Sequence, residues 1–163
     1  MKIKFRYSVL VVFWIAVTPI LSLSVSAEQK TFNQESLQTI KNNYLQQSFL
    51  LVMWSIECPP CMDELKLLGK LKENNDSFKL VLVSTDGLEH NHEIELILKE
   101  NRLEDVSSWT FSQANSTQLK YIVDPKWYGE MPRSYFYDAA HDRVAFSGKL
   151  TQKMVLTWLT QEE

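Results

Sequence analysis

A chain of 163 residues, 45% hydrophobic and 23% charged, with no repeat or low-complexity tract, has the make-up of an ordinary globular protein and not of a disordered polymer. Its 17 basic and 20 acidic side chains leave a formal charge of −3, which disfavours nucleic acid as a partner, since such binding rests on neutralising phosphates. Its only two cysteines, Cys58 and Cys61, stand two residues apart.

The first residues read as an address. Lys2, Lys4 and Arg6 form a basic start, Val9 to Leu23 is mostly apolar, and Val25-Ser26-Ala27 supplies small residues at the cleavage positions. Residues 1–27 are therefore expected to be a secretory signal peptide, with an extracytoplasmic, periplasmic or secreted destination. The second reading is an uncleaved membrane anchor through residues 7–24. Thr18, Pro19, Ser22 and Ser24 interrupt the run short of the roughly 20 apolar residues a span needs. No cysteine follows the apolar run to accept a lipid. Removing the segment leaves one domain over residues 28–163 and takes the formal charge from −3 to −6, because three cations leave with it.

Glu28 to Phe32 is expected to be an entering tail. Leu37, Ile40 and Tyr44 mark one face of a first helix, with Asn33 as its N-cap. Phe49-Leu50-Leu51-Val52-Met53-Trp54 is an unbroken apolar run, long enough for a strand buried on both faces and too short for a helix. After the cysteines, Met62, Leu65, Leu68 and Leu71 recur every three residues, which predicts an amphipathic helix. Leu80-Val81-Leu82-Val83 is a second buried strand, so strand, helix and strand make a right-handed βαβ unit. Asp86-Gly87 turns the chain into a helix marked by Ile94, Ile97 and Leu98 and ending near Asn101. Trp109 to Phe111 is a short strand. Asn115 or Ser116 caps a brief helix that must stop before Pro125, because the residue preceding a proline avoids helical geometry. Tyr135-Phe136-Tyr137 and Val144-Ala145-Phe146 flank a turn at Ala139 to Asp142 and are expected to pair antiparallel. Met154, Val155, Trp158 and Leu159 share the face of a closing helix.

A strand running into Cys-x-x-Cys at a helix start places the first thiol where the helix dipole and free N–H groups favour a thiolate. Cys58 is the expected nucleophile, and Cys61, one turn on, the resolving thiol. A permanent structural disulfide is the plain alternative, but so tight a ring closes almost no loop and stabilises folding little. Pro59 and Pro60 lack N–H groups and charge, and an ionised Glu57 beside Cys58 repels a thiolate. Less thiolate stabilisation means a weaker oxidant, so the motif leans reductive. Asp86 reads as a turn residue before a base. Trp127 and Tyr128 either rim a substrate groove or pack over the fold. His90, His92 and His141 are the only histidines; with two thiolates the first two have metal-ligand character, but their polar neighbours read as a solvated loop.

The element order, with Cys-x-x-Cys opening the second helix, resembles the thioredoxin fold, and more narrowly the secreted TlpA/ResA-like branch of disulfide reductases. The residues that carry this are Trp54 four before Cys58, the Cys58-Pro59-Pro60-Cys61 motif, Glu64 three after Cys61, Asp86-Gly87 after the second strand, and Gly129 with Met131-Pro132 before a strand ending at Asp138. The resemblance implies an α/β, thioredoxin-like fold with a central mixed β-sheet flanked by helices. It further implies that Trp54 supports the active-site turn, that Pro132 is cis and faces the disulfide, and that Met131 offers its backbone to an extended client. Three positions depart from the pattern: Glu57 stands where tryptophan is common, Lys66 replaces a helix proline, and Val52 occupies an inner-strand position where relatives carry Asp or Asn. The second leaves the helix unkinked, and the third removes a familiar proton acceptor for Cys61.

The expected activity is protein-disulfide reduction by the Cys58/Cys61 dithiol, with no metal, flavin or other cofactor. The resemblance points to a DsbD-like membrane electron donor and to clients such as apocytochrome c or metal-site proteins. An oxidase or isomerase differs only in potential. A copper or zinc metallochaperone and a redox-inactive peptide-binding module are the readings from other classes.

Overall fold

In chain order the elements are β1 (Lys30–Phe32), α1 (Ser36–Asn43), β2 (Phe49–Trp54), α2 (Pro59–Glu73), β3 (Leu80–Ser84), a 3-10 turn (Leu88–His90), α3 (Asn91–Glu100), β4 (Ser107–Phe111), α4 (Thr117–Val123), β5 (Arg133–Tyr137), β6 (Arg143–Ser147) and α5 (Gln152–Leu159). This computed structural model describes residues 29–161, so the expected signal peptide, the anchor alternative and the boundary at residue 27 lie outside the described residues. Among the described residues no helix is long and apolar enough to cross a membrane.

The six strands form one mixed sheet in the order β1-β4-β3-β2-β5-β6. β1, β4, β3 and β2 run parallel to their neighbours, whereas β5 is antiparallel to β2 and β6 to β5. Every residue of β2 and β3 is buried, as continuous apolar runs require of central strands. The two-residue period divides them between two cores. Leu50, Val52, Trp54, Leu80 and Leu82 pack with Leu65 and Leu68 of α2, Ile94 and Leu98 of α3, and Val155 of α5. Phe49, Leu51, Met53, Val81 and Val83 pack on the other face with Ile40 of α1 and with Leu119 and Val123 of α4. The result is a sheet between two helical layers, as expected.

Two local expectations need correction. The entering tail is a strand: Lys30 to Phe32 pairs parallel with Trp109 to Phe111, and Phe32 is fully buried. Three residues are too few for a readable period, so the partner strand creates this element. Asn33 does not cap α1, which begins at Ser36 after Glu35. Its Oδ1 instead accepts hydrogen bonds from the Glu35 N–H and the Ser36 hydroxyl, folding the turn that precedes the helix. Ser116, by contrast, caps α4 by accepting from the Leu119 N–H at 3.4 Å.

Gly69 sets how closely α2 approaches the end of α3. A Cβ there would collide with the backbone carbonyl oxygen of Asn101, which has no side-chain freedom to move aside. In an open helix Ala would be the better residue by about 1 kcal/mol. Here Gly69→Ala is expected to cost about 2 kcal/mol from overpacking, measured as a lower urea midpoint at unchanged m-value.

Candidate active site

The end of β2 delivers Trp54, wholly buried in the core that contains both cysteines, and the chain then turns through Ser55, Ile56 and Glu57. Cys58 leaves helical geometry (φ −112°, ψ 93°) and is the N-cap of α2, whose first two positions are Pro59 and Pro60. Proline suits these positions because their N–H groups have no helical partner in any case. Cys58 and Cys61 are joined in a disulfide with their Cα atoms 5.2 Å apart. The Cys61 N–H is shared between the Cys58 carbonyl at 2.9 Å and Cys58 Sγ at 3.3 Å. Access is asymmetric. Cys58 is 8% exposed and Cys61 1% exposed, while Glu57, Pro59 and Pro60 are exposed around them.

The turn is suspended from Asp86, just beyond β3. This buried carboxylate accepts hydrogen bonds from the Ser55 hydroxyl at 2.9 Å, the Ile56 N–H at 3.0 Å and the Ser84 hydroxyl at 2.6 Å. Asp86 stands at the bend after β3, and its carboxylate is spent on the cysteine turn.

The third segment is the loop between α4 and β5. The Met131–Pro132 peptide bond is cis. Met131 packs against both cores, and its sulfur receives the Thr85 hydroxyl at 3.7 Å, while the Thr85 N–H donates to the Trp54 carbonyl at 2.9 Å. Met131 therefore sits by the ends of β2 and β3 from which the cysteine turn springs. The loop is braced by Trp127 Nε1 donating to the Glu130 carbonyl at 2.8 Å and by the Arg133–Asp124 ion pair at 2.9 Å. Burial pushes Asp124 upward, but the Lys126 N–H, Arg133 and Arg143 outweigh it and hold the carboxyl below its ordinary range. Trp127 packs into the core, while Tyr128 is 94% exposed, so the two aromatics part company.

Among solved structures the chain superposes on MTB DsbF over 85% of its own length and 95% of that chain, with TM-score 0.60 and 18% identity. A secreted disulfide oxidoreductase of Mycobacterium tuberculosis homologous to E. coli DsbE is matched with TM-score 0.59 and 15% identity, over 74% of this chain and 85% of that one. StoA from Bacillus subtilis is matched with TM-score 0.53 and 20% identity, over 71% and 84%. The chain has a thioredoxin-like fold. No protein-family model matches the sequence, and no curated protein sequence matches it.

Within this thioredoxin-like frame the three departures can be placed. Glu57 is exposed, and its carboxylate has no hydrogen-bond or ion-pair partner among the described residues. Lys66 is exposed on α2, which runs helical from Pro59 to Glu73. Val52 is buried in the core of the disulfide and carries no titratable group.

One residue of the site was quoted for the resemblance but given no role by sequence reasoning. Glu64, one helical turn after Cys61, is 1% exposed. Burial pushes its pKa up to about 7, against the pull of the Leu150 N–H, the Ser134 hydroxyl and Lys149. Its sequence signal is an acid inside an apolar stripe: Cys61, Glu64, Leu65 and Leu68 share one buried face.

His90 and His141 find their partners outside the cysteine turn. His90 pairs with Glu93 at 3.7 Å, and His141 Nε2 lies 2.9 Å from the Tyr44 carbonyl in the β5–β6 turn. Among the described residues no group of three or more His, Cys, Asp or Glu is placed to hold a metal ion. A groove of about 550 Å³ lies between β6 and α5, lined by Phe136, Val144, Met154 and Trp158. Phe136 pairs with Leu50 at the start of β2, so the groove is at the end of the sheet away from the disulfide.

Proposed function

We propose that the protein is an exported thiol-disulfide oxidoreductase that works as a reductase of client-protein disulfides. The observation that carries this reading is the Cys58–Cys61 disulfide at the N-terminus of α2, with Cys58 the more exposed of the two residues, on a thioredoxin-like fold. In the reduced protein the Cys58 thiolate attacks a client disulfide; a Cys58–client bond forms, and the client's other sulfur leaves as a thiolate. Cys61, as thiolate, then attacks Cys58 Sγ, releases the reduced client and leaves the intramolecular disulfide. Two electrons have passed to the client, and a reductant must return them before the next turn. In an oxidising compartment that reductant has to be supplied, which is the argument for a DsbD-like membrane donor. No further cofactor is called for, since both sulfurs belong to the chain. Met131 and Pro132 are assigned the edge along which an extended client lies. Apocytochrome c and metal-site proteins are the client classes to try first.

The reductive direction is supported by the neighbours of Cys58. Pro59 and Pro60 bring no cation, and exposed Glu57 brings a negative charge, so the reduced form receives little electrostatic help beyond the helix end. The test is insulin reduction with dithiothreitol as electron source, together with the equilibrium potential of the couple against glutathione. A reductase is expected to accelerate insulin precipitation and to have a potential nearer thioredoxin, at about −270 mV, than the strongly oxidising DsbA, at about −120 mV. A potential near the oxidising end would reverse the proposed direction. Failure to reduce insulin by protein whose thiols titrate normally would favour the peptide-binding module.

A further inference from the structure

The backbone N–H groups of Ile56, Glu57 and Cys58 are all engaged, and the engagements trace back to one side chain. The Ile56 N–H donates to Asp86 Oδ2 at 3.0 Å, the Glu57 N–H to Ser55 Oγ at 3.3 Å, and the Cys58 N–H to the Ser55 carbonyl at 3.2 Å. Ser55, which receives two of these, donates its own hydroxyl to Asp86 Oδ1 at 2.9 Å. Asp86 is held in turn: the Ser84 hydroxyl donates to its Oδ2 at 2.6 Å, and its N–H donates to Ser84 Oγ at 3.0 Å. Ser55, Ser84 and Asp86 are all buried. The carboxylate thus bridges the end of β3 to the turn that leaves β2 and carries Cys58 onto α2.

We infer that Asp86, acting through Ser55 and Ile56, is a positioning residue that holds Cys58 Sγ against the Cys61 N–H and the start of α2. The inference rests on Cys58 being the nucleophile of the proposed reaction. Three donors converge on Asp86, and an ionised carboxylate accepts all of them with no donor of its own. Asparagine with its oxygen toward Ile56 meets Ser55 with its NH2, so the Ser55 hydroxyl must accept from that amide as well as from the Glu57 N–H, and its own proton loses its acceptor. When the turn slackens, the sulfur loses alignment with the N–H and the helix end that favour its thiolate.

The sign of the effect separates positioning from two simpler roles. Were Asp86 to act only through its charge, Asp86→Asn would lower the Cys58 pKa, because a nearby anion disfavours a thiolate. Were it only a structural brace, stability would fall and the thiol would titrate as before. Positioning raises the pKa. Ser55→Ala provides the second arm: it leaves the Asp86 charge in place and removes the hydroxyl that ties Asp86 to the Glu57 N–H.

The experiment is thiolate absorbance against pH, with iodoacetamide alkylation rate, on the reduced full-length protein and both variants, alongside urea unfolding of each. The expected result is a Cys58 pKa raised by about one unit in both variants, with alkylation at a fixed pH below the pKa about tenfold slower. Shifts of opposite sign would overturn the inference in favour of a field effect, and unshifted titrations with reduced stability would overturn it in favour of a brace. If Asp86→Asn does not fold, Ser55→Ala decides alone: a raised pKa supports the inference and an unchanged one overturns it. No client enters the measurement. Failure of the wild type to reduce insulin would therefore sink the proposed function and leave this result standing.

Discussion

Cys61→Ser is expected to accumulate a covalent complex with client protein through Cys58, while Cys58→Ser forms none, and both lose insulin reduction to the background rate. The asymmetry follows from where α2 begins. Cys58 is the N-cap, its Sγ accepts from the Cys61 N–H and it is 8% exposed, whereas Cys61 lies in the first turn of the helix and is 1% exposed. An incoming disulfide therefore meets Cys58 Sγ, and the thiolate fraction that decides nucleophilicity is favoured at the same sulfur by the helix end. With Cys61 present the mixed disulfide is short-lived, because the resolving sulfur is one turn away in the same helix. With serine there, nothing intramolecular attacks Cys58, and the complex persists until an external thiol removes it. The measurement is non-reducing electrophoresis after acid quenching, with the trapped species released by dithiothreitol. Equal trapping by the two variants would reverse or abolish the assigned roles. The loss should exceed that from any change outside the pair, since no other cysteine exists in the chain to take over.

How much of this was legible before the structure depended on the range of the interactions involved. β2 and α2 were readable because their signals are local: six consecutive apolar residues, and an apolar repeat at helical spacing. The placement of Cys58 at the helix start follows from those two and from Pro59 and Pro60. β1 was not readable, because three residues acquire strand geometry only by pairing with Trp109 to Phe111. Asp86 was readable as a turn residue, but not as the anchor of the cysteine turn, since its bonds to Ser55 and Ile56 join segments thirty-one and thirty residues apart. Glu64 shows the same limit more strongly. Its place on the apolar face of α2 is local, but Ser134 on β5 and the Leu150 N–H before α5, the groups that satisfy it in the interior, are seventy and eighty-six residues away.

That burial of Glu64 has the second large expected effect, a loss of stability as the pH rises through neutrality. The folded protein holds the carboxyl proton up to about pH 7, against an ordinary value of 4.5, chiefly because burial penalises the charged form. Between those two values the folded state binds more protons than the unfolded one, so stability falls with rising pH, opposite to a carboxylate held low by a partner. The gap corresponds to about 3 kcal/mol, approached by pH 8 and absent below pH 4. Glu64→Gln is expected to remove this slope without opening a cavity. The neutral carboxyl can accept the Leu150 N–H on one oxygen and donate its proton to Ser134 Oγ from the other, and glutamine reproduces that arrangement with its carbonyl and NH2. Urea unfolding of the oxidised protein from pH 4.5 to 8 reads the difference between wild type and variant, in which the remaining titrating groups cancel. The variant is expected to match the wild type near pH 4.5 and to be the more stable by about 3 kcal/mol at pH 8. Parallel profiles would show that Glu64 ionises in the folded protein as it does in the unfolded chain, with its two donors offsetting the whole cost of burial.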